Sequence, residues 1–168
     1  MANWCNNVVW FKADPITLQS IKKMFLQMAK KQLKTTCGQL PPFIEEDKDW
    51  FFNIRWEAEE ALYYDTKWSP NTEIVRHIAD HYKVAFTYDY EELGCLVYGR
   101  ATYADGILTD TCLEQTDFDS FELDEETDTY HFEGKDYDSD WEILETLLER
   151  KIENQVNNIK IQNNETIR

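Results

Sequence analysis

The stretch from Leu62 to Tyr103 constrains the fold more than any other part of the chain. Apolar and polar residues alternate from Leu62 to Trp68, which is typical of a strand with one buried face. Ser69-Pro70 then predicts the start of a helix that runs to Tyr82, because serine caps helices and proline suits the first turn. Two further alternating strands follow. Their predicted inward residues are Val84, Phe86, Tyr88 and Tyr90, and then Cys95, Val97, Gly99, Ala101 and Tyr103.

The N-terminal part predicts a strand followed by a helix. Val8 to Phe11 form an apolar run inside Trp4 to Lys12, as in a central strand covered on at least part of both faces. Asp14-Pro15 supplies a helix N-cap and a first turn, and Cys37-Gly38 predicts the helix end. Apolar residues at helical spacing predict one buried face, made of Leu18, Ile21, Phe25, Met28 or Ala29, and Leu33.

The segment from Trp50 to Trp68 reads as strand throughout. A reversal is expected at Glu57-Ala58-Glu59-Glu60, but these residues include no Gly or Asn and make a poor tight turn. A longer loop or one long bent strand therefore stays open. Trp68 is expected to be a core residue on which the next helix rests. The first half of the segment is expected to present one face, made of Trp50, Phe52, Ile54 and Trp56.

The C-terminal part carries weaker signals. Asp105-Gly106 is a strong two-residue hairpin signal. Phe118–Leu123 and Tyr130–Phe132 predict a second hairpin. Ser139 to Glu142 matches a capping box, in which the first and fourth residues satisfy a helix N-terminus. The helix that follows has an apolar stripe of Leu144, Leu148, Ile152 and Val156.

The order of these elements predicts the fold class. Strand, helix, two strands, helix and strand form the split βαβ arrangement. We therefore expect an α+β protein with a ferredoxin-like βαββαβ core, in which helices cover one face of an antiparallel sheet. Extra strands and a C-terminal helix extend this core. The predicted domains are residues 1–115 for the core and residues 116–168 for an acidic hairpin with the last helix.

The net charge of -16 is distributed unevenly. Residues 114–140 hold 12 acidic residues and one lysine, whereas residues 22–34 hold five lysines and no acid. A strongly negative mean field repels phosphate, so binding to nucleic acid through the basic first helix is the least favoured function. A protein partner with a basic surface is favoured instead.

Cysteine usage and hydropathy indicate the compartment. Four cysteines, Cys5, Cys37, Cys95 and Cys112, lie far apart and match no zinc or redox spacing. The N-terminus lacks the pattern of a signal peptide. No apolar run approaches the ~18 residues of a membrane span. We expect a cytoplasmic protein with free thiols, no cofactor and no membrane contact.

Several short motifs in order carry a family resemblance. The opening Met1-Ala2-Asn3-Trp4-Cys5-x-Asn7, the stretch Asp65 to Pro70, and Tyr90-Glu91-Glu92-x-Gly94 resemble the YubB-type ferredoxin-like proteins of plasmids and phages. The resemblance implies the fold and a mobile genetic element, and it implies no reaction. A tryptophan motif of that family is shortened here to Trp56-Glu57-Ala58. The motif residues are Trp4, Cys5, Lys67, Trp68, Ser69, Pro70, Tyr90, Glu91, Gly94 and Gly99.

Candidate metal ligands are sparse. His77 and His81 lie one helical turn apart with Asp80 nearby, which is a spacing that zinc accepts. The metalloprotease pattern requires Glu after the first His, and Ile78 stands there. An exposed polar helix face is the simpler interpretation. Cys5 is interpreted as a buried structural thiol, because no His accompanies it in the motif.

The acidic segment is the feature that most favours a function. Its carboxylates alternate with Phe118, Phe121, Tyr130, Phe132 and Tyr137, which suits a basic groove on a protein. We expect a non-enzymatic accessory protein of a mobile element that binds a protein partner. The alternatives are a DNA-mimicking inhibitor of a nucleic-acid-binding enzyme, and a metal-binding domain or metal-dependent enzyme that uses His77, Asp80 and His81. The expected contact residues are Asp117, Asp119, Asp124, Glu125, Glu126 and Asp128.

Overall fold

A computed structural model describes residues 3–57 and 60–166, with side chains as far as residue 158. The chain divides into two compact units, Met1–Asp110 and Thr111–Arg168. The sequence predicted a domain boundary after residue 115, and that boundary remains a prediction. Among the predicted motifs, Met1 and Ala2 of the opening and Ala58 and Glu59 of the reversal lie outside the described residues.

The first unit is built on a six-stranded sheet with the order β2-β3-β1-β4-β5-β6. The strand β1 lies between β3 and β4 and is antiparallel to both. This is the predicted split βαβ core, and β5 and β6 extend it beyond β4. The elements are β1 (Trp4–Lys12), α1 (Pro15–Thr35), β2 (Phe52–Trp56), β3 (Ala61–Lys67), α2 (Thr72–Tyr82), β4 (Ala85–Glu92), a 3-10 turn (Leu93–Cys95), β5 (Val97–Ala104) and β6 (Ile107–Cys112).

Alternate side chains of β1 point into the core. Val9 is fully buried and pairs with Leu62 of β3 and Tyr88 of β4. The buried side chains of β1 join one apolar cluster with residues of both helices, so α1 and α2 cover the same face of the sheet. Val8 and Trp10 point to the other face and are half-buried. The expected partial cover of both faces is confirmed.

Helix α1 begins as predicted and ends earlier than predicted. The Oδ1 atom of Asp14 accepts hydrogen bonds from the N–H groups of Ile16 and Thr17, at 2.9 and 3.1 Å. The helix ends at Thr35, before Cys37-Gly38. The prediction that Leu33 is buried is wrong, because this residue is 83% exposed. The buried stripe ends at Met28, Gln32 one turn later is only half-buried, and Leu33 lies about 100° further around the helix.

A β-bulge changes the predicted face of β2. Asn53 has a φ of 50°, and the pairing with β3 shifts between Phe52 and Arg55. Phe51 and Ile54 are consequently both buried, although they are three positions apart and would lie on opposite faces of a regular strand. The prediction that Trp50 and Phe52 lie on one face with Ile54 is wrong, because the bulge places Phe51 with Ile54 in the core and leaves Trp50 and Phe52 half-buried. Strands β2 and β3 are separate and antiparallel, which excludes one long bent strand.

The start of α2 differs from the prediction in a way that matters for the site. The cap residue is Asn71 and the helix begins at Thr72, two residues after Ser69-Pro70. Trp68 has a φ of 70° and is 52% exposed, so its predicted place in the core is wrong. Strand β3 ends at Lys67, and the left-handed backbone at Trp68 turns its side chain away from the inward position that strand alternation would assign.

The second unit contains α3 (Gln115–Phe118), β7 (Glu122–Asp124), β8 (Thr129–Phe132), β9 (Lys135–Tyr137) and α4 (Trp141–Thr166). Strands β7 and β8 form the predicted hairpin, and β9 adds a third strand that was not predicted. Glu133-Gly134 makes the turn to β9, with φ values of 48° and 77°.

Helix α4 has buried apolar residues near its start. It begins at Trp141, so Asp140 rather than Ser139 precedes its first residue. Leu144 and Leu148 are buried as predicted, together with Ile143, whereas Val156 is 44% exposed. None of the described helices has the length and apolar character needed to cross a membrane.

Candidate functional site

A buried hydrogen-bond network joins three strands beneath the start of α2. The Nδ2 atom of Asn7 donates to the carbonyl of Cys5 at 2.7 Å and to Oγ1 of Thr66 at 3.0 Å. The hydroxyl of Tyr88 donates to Oδ1 of Asn7 at 2.6 Å. The N–H of the cap residue Asn71 donates to the same hydroxyl at 3.2 Å. The network therefore ties the opening motif of the chain to the cap of α2.

This network is neutral and structural. Burial raises the pKa of the Cys5 thiol to about 12, and burial also raises the pKa values of Tyr64 and Tyr88 well above their usual range. The hydroxyl of Tyr64 donates to Oδ1 of Asn71 at 2.7 Å. A thiol that stays protonated at neutral pH is a poor nucleophile. The geometry agrees with a structural role for Cys5.

The strand-to-helix motif borders an open cleft in the first unit. The hydroxyl of Thr66 donates to the carbonyl of Ser69 at 2.7 Å, which holds the turn between β3 and α2. The ammonium of Lys67 lies 5.1 Å from the ring centre of Phe52. The cleft has a volume of about 460 Å³, and its lining comprises Thr36, Cys37, Gly38, Asp49, Trp50, Phe52, Thr66, Lys67 and Ser69.

The motif from Tyr90 to Gly94 shapes the end of β4. The hydroxyl of Tyr90 donates to Oδ1 of Asp110 at 2.6 Å, and Tyr90 pairs with the buried Gly99. A Cβ atom on Gly94 would lie 2.9 Å from Oε1 of Glu92. A hydrogen bond to Glu92 raises the pKa of the exposed Cys95 thiol, so this thiol is not activated as a nucleophile either.

Glu91, the second residue of this motif, lies at the edge of hydrogen-bond range from β1. Its Oε1 atom is 3.5 Å from Nδ2 of Asn6. Asn3 reaches the same turn, where its Nδ2 atom lies 3.4 Å from the sulfur of Cys95. The opening motif and the Tyr90 motif, which are far apart in the sequence, therefore meet at one end of the sheet. Trp4 also lies at this end and packs edge-on against Phe52, with ring centres 5.1 Å apart.

The candidate metal ligands on α2 do not converge. His81 stacks on Phe43 with ring centres 3.8 Å apart. Asp80 accepts hydrogen bonds from Arg76, at 3.0 Å, and from the hydroxyl of Tyr103. His77 lies 3.8 Å from Glu46. Within residues 3–57 and 60–158, no group of three His, Cys, Asp or Glu side chains is placed to hold a metal ion.

Within the second unit, Asp117 is already engaged. Its carboxylate accepts a hydrogen bond from the N–H of Glu114 at 2.7 Å and lies 2.7 Å from the ammonium of Lys151. Burial works against ionisation, but the Glu114 N–H and the Lys151 ammonium outweigh it and lower the pKa of Asp117. Lys151 also lies 3.5 Å from Glu114. We assign Asp117 a structural role between α3 and α4.

The other predicted contact residues lie on or near the β7–β8 hairpin. Asp119 accepts a hydrogen bond from the side chain of Gln115 at 2.8 Å. Asp124 accepts one from the N–H of Glu126 at 2.9 Å, and this bond is the main reason that its pKa is lowered. The acidic turn is defined here as Asp124, Glu125, Glu126 and Asp128; its last three residues are exposed.

Three basic side chains of this unit lie beside carboxylates, namely Arg150, Lys151 and His131. Arg150 makes a two-pronged ion pair with Glu133, at 2.6 and 2.8 Å. Lys151 pairs with Asp117, as described above. His131 lies 2.5 Å from Asp136 and 3.8 Å from Asp124. Among the described side chains, no lysine or arginine forms an ion pair with the acidic turn, and His131 is the basic group that lies within 4.0 Å of it.

Most of the interleaved aromatic side chains pack within the unit. Phe132 is buried, and the guanidinium of Arg150 lies 5.7 Å from its ring centre. Phe121 and Tyr130 contact each other with ring centres 6.0 Å apart. The expectation that Phe132 anchors a partner is wrong, because its strand position faces the interior. Leu123 is 46% exposed. The sequence analysis named only aromatic residues as apolar contacts for a partner and did not include Leu123.

Comparison with known proteins gives one match to a family model. Residues 51–133 match a family model described as a ferredoxin-like domain in Api92-like protein. This chain contains a ferredoxin-like domain. The matched segment runs from Phe51, just before β2, to Glu133, just after β8, and so includes the Lys67 to Pro70 motif and the acidic turn of this chain. No curated protein and no solved structure gives a significant match.

Proposed function

We propose that this protein is a non-enzymatic accessory protein that binds a basic surface of a protein partner through the acidic turn. The observation that carries the proposal is the placement of charge in the second unit. Lys151 and Arg150 lie against Asp117 and Glu133, whereas Glu125, Glu126 and Asp128 are exposed on a short hairpin. Unpaired carboxylates on a protruding turn steer and orient a positively charged partner.

The local contacts of the turn favour recognition over simple solubility. Thr127 and Thr129 are hydrogen-bonded at 2.7 Å, and Asp124 caps the N–H of Glu126. The turn therefore presents its carboxylates from a hydrogen-bonded backbone, which reduces the entropy lost on binding. The exposed Leu123 beside it offers a small apolar contact.

Charge neutralisation with a matched control tests this proposal. The first variant carries Asp124→Asn, Glu125→Gln, Glu126→Gln and Asp128→Asn. The control carries the same change in net charge on other exposed residues of the unit, namely Asp138→Asn, Glu142→Gln, Glu149→Gln and Glu153→Gln. Each protein is immobilised and exposed to host lysate at low and moderate salt. We expect the wild type and the control to retain a stoichiometric partner that the first variant loses.

Two results would overturn the proposal. One is that the wild-type protein retains no stoichiometric partner at either salt concentration. The other is that the turn variant and the control retain the partner equally, which would assign the contact to total charge or to another surface. Circular dichroism of both variants establishes that the fold persists.

A DNA-mimicking inhibitor is the sharper form of this proposal. Its support is that no described lysine or arginine forms an ion pair with the acidic turn, which leaves an anionic surface that a DNA-binding groove would accept. Duplex DNA added to the immobilised complex should then elute the partner. Persistence of the complex at DNA concentrations that saturate the partner would leave protein binding in place and exclude DNA mimicry.

We also propose that the protein belongs to the YubB-type family, serves a mobile genetic element and acts in the cytoplasm. The support is the quoted motif set and the state of the cysteines, since Cys5, Cys37, Cys95 and Cys112 are all free thiols. The neighbouring genes test the setting. Plasmid or phage genes beside the coding sequence are expected, and a conserved chromosomal operon of housekeeping genes would contradict it.

A further inference from the structure

The cleft in the first unit has the size and shape of a small-molecule site. Its volume of about 460 Å³ lies within the range of about 300–1,000 Å³ found for ligand pockets. It lies between the end of α1, the segment before β2 and the end of β3. Three separate parts of the chain thus supply its walls, and none of them is part of the acidic turn.

The aromatic wall of the cleft is held in place by a glycine. A Cβ atom on Gly38 would lie 2.5 Å from Cζ of Phe52 and 2.7 Å from Cβ of Trp50. Only a glycine allows the backbone to approach these two residues so closely. Trp4 packs edge-on against Phe52, with ring centres 5.1 Å apart. The ring of Phe52 is therefore fixed on two sides before any ligand arrives.

The cation of the cleft is Lys67. Its ammonium lies 5.1 Å from the ring centre of Phe52, and it forms no ion pair with any side chain that the structure describes. Asp49 is the carboxylate of the cleft, and it lies 4.0 Å from the ammonium of Lys48. In a protein with a net charge of -16, an ammonium held against an aromatic wall without a carboxylate partner is a local site for an anion.

The backbone beside this cation has an unusual conformation. Trp68 follows Lys67 in the left-handed region, although it is bulky and 52% exposed, so burial does not explain its conformation. Such strain is found more often at functional sites than elsewhere. The buried network around Asn7 and Asn71 fixes the neighbouring turn, so the position of Lys67 is set by the fold.

We propose that this cleft binds a planar aromatic molecule with one anionic group, which lies against Phe52 and Trp50 and places its charge at Lys67. The hydroxyl groups of Thr36 and Ser69 supply additional polar contacts along the lining. The proposal is independent of the acidic turn, because all of its residues lie in the first unit.

A matched pair of fluorescent dyes tests the chemistry. Anilinonaphthalene sulfonate is an aromatic anion with a planar naphthalene ring, and phenylnaphthylamine has the same rings without the sulfonate. We expect the folded protein to bind one equivalent of the sulfonate dye more tightly than the neutral dye. Lys67→Met should weaken sulfonate binding by about tenfold, as expected for loss of one partly desolvated charge contact, and should leave the neutral dye within about twofold.

The controls separate the cleft from general dye binding. Lys23→Met removes an exposed lysine on the outer face of α1 and should leave sulfonate binding unchanged. Cys37→Trp fills the cleft from an exposed position that the core does not require, and should abolish binding of both dyes while the circular dichroism spectrum is retained. Equal effects of Lys67→Met and Lys23→Met, or full binding to Cys37→Trp, would overturn the proposal.

Chemical protection of Cys37 gives a second readout that does not depend on fluorescence. Iodoacetamide modifies exposed thiols, and Cys37 lines the cleft whereas Cys95 does not. Saturating sulfonate dye should slow alkylation of Cys37 by about tenfold or more and leave alkylation of Cys95 unchanged, as measured on peptides by mass spectrometry. Unchanged alkylation of Cys37 at saturating dye would place the bound dye elsewhere and refute the proposal.

Discussion

The hydroxyl of Tyr88 donates a 2.6 Å hydrogen bond to Oδ1 of Asn7 in the buried face of the sheet. Both residues are almost completely buried, on the adjacent strands β4 and β1. A buried amide is costly unless its donors and acceptors are satisfied. Here they are satisfied by side chains that also hold the cap of α2, so this contact joins the core of the sheet to the turn that borders the cleft.

Tyr88→Phe should destabilise the first unit by about 1–3 kcal/mol, because Oδ1 of Asn7 and the N–H of Asn71 both lose a buried partner. Urea unfolding measures the change. Tyr63→Phe is the control, since Tyr63 is only half-buried and lies on the opposite face of β3. A loss for Tyr88→Phe no larger than for Tyr63→Phe would contradict the role of the network.

Cys5 should resist alkylation in the native protein. Its pKa is raised to about 12, so the thiol is protonated at pH 8, where ordinary thiols begin to ionise. Because the folded pKa exceeds the unfolded value of 9.0, this group stabilises the fold below that value and loses its contribution as pH rises toward 12. With iodoacetamide at pH 8, the exposed Cys37 and Cys112 should react rapidly, Cys95 should react more slowly because its pKa is also raised, and Cys5 should react only after denaturation. Rapid modification of Cys5 without denaturant would show that it is accessible.

Gly38→Ala should destabilise the first unit by about 1–3 kcal/mol, the usual cost of overpacking. The new methyl group would lie within 2.8 Å of three side-chain atoms of Phe52 and Trp50. Thermal unfolding monitored by circular dichroism measures the effect. Gly106→Ala has no nearby atom to displace, and its cost should come only from the positive φ of 79°. Restoration of stability in Gly38→Ala by Phe52→Leu would identify the aromatic ring as the obstacle.

Asp117→Asn should destabilise the second unit by about 0.5–1 kcal/mol, as for other partly exposed ion pairs. The pKa of Asp117 is lowered below 3.8, so its stabilising effect is present above that pH and is lost as pH falls through the folded pKa. The variant should therefore lose less stability than the wild type on acidification below about pH 4. Asp119→Asn is the control. An unchanged acid limb of the unfolding curve would rule out this linkage.

His131 should titrate above its usual pKa of 6.5. The hydrogen bond with Asp136 is the largest cause, and the charge of Asp124 adds to it. Because the folded pKa is raised, the interaction stabilises the protein below pH 6.5 and is lost as pH rises through the folded value. NMR titration of the imidazole resonances measures this. Asp136→Asn should lower the pKa, and Asp138→Asn should not; an equal response to the two would exclude the named contact.

The predicted elements of the first unit agree with the structure where the local signals were strong. Asp14-Pro15 marks the start of α1, and Asp105-Gly106 forms the hairpin between β5 and β6, with φ values of 53° and 79°. These signals depend on a few consecutive residues whose backbone preferences are nearly independent of the rest of the chain. The positions that were predicted wrongly, Phe52, Trp68 and Leu33, lie at a bulge, a left-handed turn and the last turn of a helix.

The candidate site shows the same division. The acidic turn could be seen in the sequence as a concentration of carboxylates. The sequence did not show that Asp117 differs from the turn, because its partner Lys151 lies 34 residues further along the chain. The cleft had no sequence signal beyond Lys67 and the neighbouring motif. Cys37, Gly38, Asp49 and Trp50 belong to a loop segment without regular periodicity, and only chain folding brings them to the end of β3.

By itself, the sequence determined the order of helices and strands in the first unit, the ferredoxin-like core and the excess of negative charge after residue 110. These properties follow from periodicity, turn chemistry and composition, which act over short stretches of chain. The tertiary structure alone decided which carboxylates are neutralised by lysine and arginine, that Trp68 is exposed, and that Lys67 lies against Phe52 without an ion pair to any described side chain. Those outcomes depend on contacts between side chains from distant segments of the chain. Packing and charge pairing then select one of several conformations that local sequence preferences do not distinguish.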